Sequence, residues 1–248
     1  KAPLCGSGYT GSIPVRHPNM KKEELKEYLK YYFLEKYLFG EVSKNFRDKG
    51  SLTPEEFFAI VIWKRNASKT RIKEGIGKYR EQYGKTIKNI TEDIYSAESL
   101  KQKLNILAPR KIYGIGISFA SAILTVCYPN DFTIADYRAF NSLIKLLDKK
   151  EFSDIKEKFK GLKKYIDKYL KRRDKINAYN ATHTATHTKK KSNDINDITD
   201  DIYLEYLEAC KELAGKLNFP LRDFDRILWG MDSYEGKDGL RDLVKNLK

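Results

Sequence analysis

One aspartate, Asp136, stands where a carboxylate could take part in chemistry. It follows an apolar stretch that ends at Ala135 and precedes a new helical pattern that begins at Tyr137. This position removes the side chain partly from water. The carboxylate can then cap the following helix or stabilise positive charge on a bound molecule. The spacing alone leaves both roles open.

A pair of glycines lies upstream of this aspartate, between two helical patterns. Gly114-Ile115-Gly116 allows a tight turn and a close approach of the backbone to a bulky neighbour. Amides at the start of the next helix would point outwards with partial positive charge, which suits a phosphate group. An ordinary turn between two helices has the same pattern. A carboxylate beside a phosphate-binding hairpin would be placed to act on a sugar.

The composition favours a polyanionic partner. The 248 residues include 48 Lys and Arg against 34 Asp and Glu, so the formal net charge is +14. Nucleic acid is the commonest partner for such a surface, although basic surfaces also accompany thermal adaptation. The apolar fraction of 41% can form a core, which excludes a wholly disordered basic tail. Apolar runs such as 57–63 are too short to span a bilayer, so we expect no membrane partner.

The three cysteines are far apart in the chain, at Cys5, Cys127 and Cys210. Their spacing matches neither a zinc site nor a four-cysteine cluster. We therefore expect reduced thiols, a cytoplasmic location and no metal. His183 and His187 would share a helical face, but no third ligand is evident, so we expect a solvated loop there.

The periodicity of the apolar residues is helical from Met20 onwards, and no segment alternates with period two. We therefore predict an all-α fold. Thr53-Pro54-Glu55-Glu56 is a capping signature for the helix that follows it. Other predicted features are a helix stop at Gly40, a helix over 69–83, a cap at Ser96, a helix over 152–169 ended by Lys171-Arg172-Arg173, and helices over 202–217 and 222–230. Residues 1–19 are predicted to be a leader or tag, and 178–193 an exposed linker.

Residues 112–140 resemble the helix-hairpin-helix DNA glycosylase superfamily, which includes endonuclease III and the 8-oxoguanine glycosylases. Gly114 and Gly116 match the hairpin glycines, a small-residue helix follows them, and Asp136 matches the catalytic aspartate. A weaker likeness covers 20–248, including the segment Lys64-Arg65-Asn66. The family's usual proline before the hairpin is replaced here by Tyr113.

The resemblance implies a DNA repair enzyme that flips a damaged or mismatched base of double-stranded DNA and hydrolyses its N-glycosidic bond. Asp136 would be catalytic, and Gly114, Gly116, Ser118 and Lys111 would bind the DNA backbone. Residues implied for the base pocket or the wedge are Trp63, Lys64, Arg65, Asn66, Phe119, Tyr137 and Trp229. Ordinary core packing is the commoner role for each of the aromatic residues. We expect a monomer, associated with the nucleoid if the source is prokaryotic.

One departure from the family concerns lyase activity. Bifunctional members place a nucleophilic lysine two residues after the second hairpin glycine, where this chain has Ser118. The departure implies a monofunctional glycosylase, unless another lysine such as Lys64 takes that role. The cysteine count excludes the iron–sulfur cluster, and the only cofactor that the resemblance allows is a monovalent cation at the hairpin backbone.

The resemblance also implies two helical lobes with a cleft between them and Asp136 at its mouth. One lobe would be 50–128, a barrel that ends in the hairpin, and the other 20–49 plus 129–248. Two other classes stay open: a non-catalytic helix-hairpin-helix DNA-binding protein, and a helical scaffold with a basic surface. Lys145, Lys163 and Lys164 are further phosphate candidates, and Asp225 is expected to pair with Arg222 or Arg226.

Overall fold

Helices form nearly all of the protein that the structure describes. The structure, a computed structural model, describes residues 33–107, 111–182 and 198–234. Of these residues 81% are helical and none lies in a strand, so the all-α prediction is confirmed. No helix among them is long and apolar enough to cross a membrane. The predicted leader 1–19, His183 and His187 lie outside the described residues.

The helices are named here in chain order. They are α1 (Phe33–Tyr37), α2 (Ser43–Lys49), α3 (Pro54–Arg65), α4 (Lys69–Tyr83), α5 (Ile87–Ser96), α6 (Leu100–Leu107), α7 (Ile117–Cys127), α8 (Tyr137–Leu147), α9 (Ser153–Lys158), α10 (Lys160–Thr182), α11 (Asp200–Lys216) and α12 (Leu221–Tyr234). A π-helical turn, Leu38–Val42, joins α1 to α2, and 3₁₀ turns at Asn66–Ser68 and Lys150–Phe152 precede α4 and α9. Residues Tyr32–Ser233 form one compact unit.

The predicted capping signature opens α3. The Thr53 hydroxyl accepts a hydrogen bond from the Glu56 amide at 3.2 Å, and the Glu56 carboxylate accepts one from the Thr53 amide at 2.9 Å. Pro54 occupies the first turn, where its missing N–H has no helical partner. A second box of the same kind, between Thr86 and Asn89, opens α5. Each box satisfies two N–H groups that a helix start leaves without partners.

The centre of the core is the contact between α3 and α7. Phe57, Ile60 and Val61 of α3 are fully buried there. The side chains of α7 are buried at every position except Ser118. Ala120 and the other small residues of α7 let the two helices approach closely. Burial of α7 on nearly all sides fixes the orientation of both of its ends, one at the glycine turn and the other near the segment that carries Asp136.

The helix stop predicted at Gly40 is wrong. Gly40 lies inside the π-helical turn, and the chain stays helical until Lys49, where Gly50 ends it with φ of +71°. A glycine inside a helix costs about 1 kcal/mol. Leu38 and Val42, on either side of Gly40, are fully buried and offset that cost.

Two other predicted boundaries also differ. Ser96 ends α5, and Ser99 caps the next helix by accepting from the Gln102 amide at 3.1 Å. The helix predicted over 152–169 is interrupted at Phe159. Its second part then continues past the basic residues 171–173 to Thr182, into the predicted linker. Lys and Arg are good helix formers, so a cluster of them does not end a helix without a glycine or proline.

Candidate active site around Asp136

Asp136 forms an ion pair with Lys64 at the surface between α3 and α8. Asp136 is the N-cap of α8, and its Oδ1 accepts a hydrogen bond from the Arg138 amide at 3.0 Å. Its Oδ2 accepts one from Nζ of Lys64, in the last turn of α3, at 2.8 Å. The side chains of Lys64 and Asp136 are 12% and 21% exposed. The pair is therefore mostly withdrawn from water but still accessible from one side.

Asp136 is anionic at neutral pH despite its burial. Burial raises the pKa of its carboxyl group. The charge and hydrogen bond of Lys64, with the Arg138 amide and guanidinium, lower that pKa by more, so the net shift is below the ordinary value. A fixed, partly desolvated carboxylate of this kind can stabilise a cationic transition state or orient a water molecule.

Segment 132–136 positions Asp136 at the start of α8. Side chains from other helices form hydrogen bonds with the backbone of this segment. The Tyr203 hydroxyl of α11 donates to the Thr133 carbonyl at 2.8 Å, and the Tyr206 hydroxyl donates to the Ile134 carbonyl at 3.2 Å. The Ala135 amide donates to the Ser121 hydroxyl of α7 at 3.0 Å. Polar groups that leave water need such partners. These bonds set the direction in which the chain enters α8.

Asp225 of α12 holds the same segment from the other side. Its carboxylate accepts from the Thr133 hydroxyl at 2.7 Å and from the Ile134 amide at 3.0 Å. Burial raises the pKa of Asp225, and the opposing effect of Arg222 and these hydrogen bonds is smaller. The ion pair expected from the sequence is present with Arg222, which also contacts Glu35. Arg226 pairs with Glu35 and Asp223 instead.

An aromatic and cationic cluster adjoins Asp136 at the start of α8. The Arg138 guanidinium lies 5.6 Å from the ring centroid of Tyr137 and 5.3 Å from that of Trp229. Nε of Arg138 also donates to the Tyr137 hydroxyl at 2.9 Å. The Trp229 side chain is 38% exposed. An exposed indole beside a guanidinium plane is a surface on which a flat aromatic ligand can stack.

The other residues implied for the base pocket are spread over different environments. Trp63 is half-buried, with its ring edge-on to Phe39 at 5.7 Å and near the Arg222 guanidinium. Phe119 is buried in the core, and Arg65 and Asn66 are exposed where α3 ends. Among the predicted site residues, the structure thus brings Lys64 into contact with Asp136. Tyr137 and Trp229 both contact the Arg138 guanidinium next to that pair.

The glycine turn packs directly against α4. The Ile115 amide donates to the Ile112 carbonyl at 3.0 Å, which closes the turn. Gly114 has φ of +89°, a conformation that favours glycine, and Gly116 is the N-cap of α7. A Cβ atom added to Gly75 of α4 would lie 1.9 Å from the Tyr113 carbonyl oxygen. Only a glycine at that position lets the helix and the turn touch backbone to backbone.

The remaining predicted site residues flank this turn or lie elsewhere. Lys111 is exposed at the start of the turn, and Ser118 is half-buried in the first turn of α7. Lys163 pairs with Glu157 at 2.5 Å, which makes it a weaker phosphate candidate. Lys145 and Lys164 are exposed.

In comparison with known proteins, no family model, curated protein or solved structure matches the chain. The fold and the site define the protein only as an all-helical protein with a largely buried ion pair between Lys64 and Asp136.

In the parts of the chain that the structure describes, no group of three or more His, Cys, Asp or Glu side chains could hold a metal. Cys127 and Cys210 are free and buried, and burial raises the pKa of both thiols.

The sequence-based predictions missed the residues that position the site. Asp225 was expected to form an ion pair, but its hydrogen bonds to 133–134 were not predicted. Tyr203 and Tyr206 were not singled out, although two tyrosines three residues apart on an otherwise apolar helix face are a signal of buried hydroxyls with specific partners. Gly75 was missed because one glycine in a helical pattern does not show what packs on it.

Proposed function

We propose that this protein is a DNA glycosylase of the helix-hairpin-helix kind, which flips a damaged or mismatched base and hydrolyses its N-glycosidic bond. One observation carries the proposal: the Asp136 carboxylate is mostly buried yet anionic, and it ends a segment whose backbone is hydrogen-bonded by buried side chains. Cleavage of an N-glycosidic bond develops positive charge on the deoxyribose. A carboxylate already fixed in place stabilises that charge without reorganisation.

The reaction that we propose is hydrolysis. As the bond between C1′ and the base nitrogen breaks, the base leaves with the electron pair and takes up a proton. Water adds to C1′ and transfers a proton to Asp136 or to solvent, so the products are the free base and an abasic sugar. Flipping the base costs a few kcal/mol, and stacking on an exposed ring such as that of Trp229 would recover part of this cost.

Lys64 is assigned here the role of charge partner. Its amino group donates to the Asp136 carboxylate at 2.8 Å, which is the contact expected of a charge partner. Ser118 occupies the position of the family's nucleophilic lysine. Borohydride reduction during the reaction tests this assignment, because it traps any covalent imine between a lysine and the opened sugar. The assignment predicts no trapped adduct. An adduct that Lys64→Gln abolishes would make Lys64 the nucleophile.

The proposal includes a DNA-binding arrangement that follows from the resemblance. The turn from Gly114 to Gly116, with Lys111 and Ser118, would contact the phosphates of double-stranded DNA. Two helical lobes, one of 50–128 and the other of 20–49 plus 129–248, would enclose the cleft that admits the flipped base. The left-handed Gly114, the exposed Lys111 and the net charge of +14 support this part of the proposal.

A second candidate function is a non-catalytic DNA-binding protein. One observation favours it: Asp136 caps α8 and pairs with Lys64, and this structural role explains the residue without any chemistry. The two candidates differ in whether base release occurs. Both candidate functions predict that binding of duplex DNA weakens as the salt concentration rises.

A panel of duplexes, each with one oxidised, alkylated, deaminated or mismatched base, separates these candidates. The glycosylase proposal predicts base release from at least one duplex, and loss of that release in Asp136→Asn while DNA affinity is retained. Asp201→Asn is the matched control, since Asp201 also pairs with a lysine at 2.8 Å but on the open surface, where the lysine and Asp201 side chains are 56% and 77% exposed. Binding without release from any duplex would favour the non-catalytic candidate.

A further inference from the structure

The surface of α4 next to the glycine turn has a charge pattern that the site does not use. The helix carries five cations (Lys69, Arg71, Lys73, Lys78 and Arg80) and two acidic residues (Glu74 and Glu81), a net charge of 5 − 2 = +3. All five cationic side chains are exposed. None of them is in an ion pair within the described parts of the chain, whereas ten lysines on other elements each pair with a carboxylate there.

Two of these cations flank the turn directly. Arg71, Gly75 and Lys78 are spaced four and three residues apart, so they lie on one face of the helix. Gly75 touches the Tyr113 carbonyl, as described above. A Cβ atom on Gly114 would lie 3.2 Å from Cγ of Arg71, and Nζ of Lys78 lies 5.3 Å from the ring centroid of Tyr113. The cations and the turn therefore form one continuous surface.

We infer that this surface, the α4–turn surface of Arg71, Lys78, Tyr113 and Lys111, binds the phosphate backbone of duplex DNA. Arg71 and Lys78 are separated along the helix axis by about 10 Å, which corresponds to the axial rise of about three nucleotides in duplex DNA. Because neither Arg71 nor Lys78 is ion-paired within the described parts of the chain, phosphate binding would break no ion pair there. Because helix and turn touch at Gly75, the cations keep a fixed position relative to the hairpin. The inference rests on the proposed function for its choice of partner and adds the element that supplies the charge.

The salt dependence of binding to an undamaged duplex tests this inference. Arg71→Gln with Lys78→Gln removes two charges from the α4–turn surface. Lys171→Gln with Lys175→Gln is the matched control, because it removes two charges from exposed positions of α10. Each lost phosphate contact lowers the slope of log affinity against log salt by about 0.9. We expect the first double variant to lower the slope by about 2 and the control to leave it unchanged.

Four outcomes are possible, and each decides the inference. A reduced slope in the α4 variant alone supports it. An unchanged slope in that variant, or an equal reduction in the control, overturns it, as does wild-type protein that does not bind duplex DNA. Base release is measured separately at saturating DNA concentration. If base release persists while the salt slope of the α4 variant is unchanged, the glycosylase proposal stands and only the α4–turn surface is rejected. Normal binding without release would instead reject the glycosylase proposal.

Discussion

Lys64 and Asp136 lie 72 positions apart in the chain, and Nζ of one donates to Oδ2 of the other at 2.8 Å. The bond joins the last turn of α3 to the N-cap of α8, and together with the charge of Lys64 it lowers the pKa of the Asp136 carboxyl group. Without the lysine, the pKa of Asp136 would be higher, because burial raises it and fewer groups would counteract that effect. The pKa of this carboxyl group therefore depends on a contact between elements that are distant in sequence.

The first prediction concerns the pH dependence of base release. Lys64→Gln removes the main group that lowers the Asp136 pKa, while burial, which raises it, remains. We therefore expect the acidic limb of the pH–rate profile to move to higher pH in the variant. Single-turnover rates measured from pH 3 to pH 8 give the position of the limb, because the pKa of wild-type Asp136 lies below 3.8. A limb at the same pH in wild type and variant would show that Asp136 does not titrate in the reaction.

The second prediction concerns stability. The pKa of Asp136 is lower in the folded protein than its ordinary value of 3.8, so the carboxylate favours folding above that value. This contribution is lost as the pH falls from 3.8 through the lower, folded pKa. The difference in free energy of unfolding between wild type and Asp136→Asn should be constant above pH 5 and should shrink in more acidic solution. Urea titrations across this range measure it, and a difference independent of pH would contradict the assignment.

The third prediction concerns the segment that aims Asp136. Tyr203→Phe removes the hydroxyl that donates to the Thr133 carbonyl at 2.8 Å and leaves that carbonyl buried without its partner. We expect a loss of about 1 to 3 kcal/mol in the free energy of unfolding. We also expect a lower rate of base release at saturating DNA concentration, with unchanged DNA affinity. Tyr83→Phe, at an exposed position, is the control. Slower release with normal stability would point to a role other than positioning.

The fourth prediction concerns the contact between α4 and the turn. Gly75→Ala would place a methyl group 1.9 Å from the Tyr113 carbonyl oxygen, so the backbone must move. Overpacking of this kind costs about 1 to 3 kcal/mol. Gly77→Ala is a matched control two residues away, where nothing lies within 4 Å. Alanine there should stabilise the helix by up to about 1 kcal/mol. Thermal unfolding of both variants measures the contrast, and equal effects would contradict the packing described.

Local signals in the sequence predicted the local parts of this structure. The capping box at Thr53, the extent of α4 and the N-cap position of Asp136 all depend on residues within a few positions of one another. The partner of Asp136 could not be predicted, because the contact with Lys64 depends on how α3 packs against the start of α8. The role of Gly75 was hidden for the same reason, since only the position of the turn shows why a side chain is excluded there.

Base release by the Asp136→Asn protein tests the catalytic role of Asp136 most directly. The measurement is the single-turnover rate of base release from the best duplex of the lesion panel, with DNA affinity determined on the same preparations. We expect Asp136→Asn to lower the rate by at least a hundredfold at unchanged affinity, and Asp201→Asn to retain the wild-type rate. Wild-type release from the Asp136→Asn protein, with its DNA binding intact, would contradict the central claim.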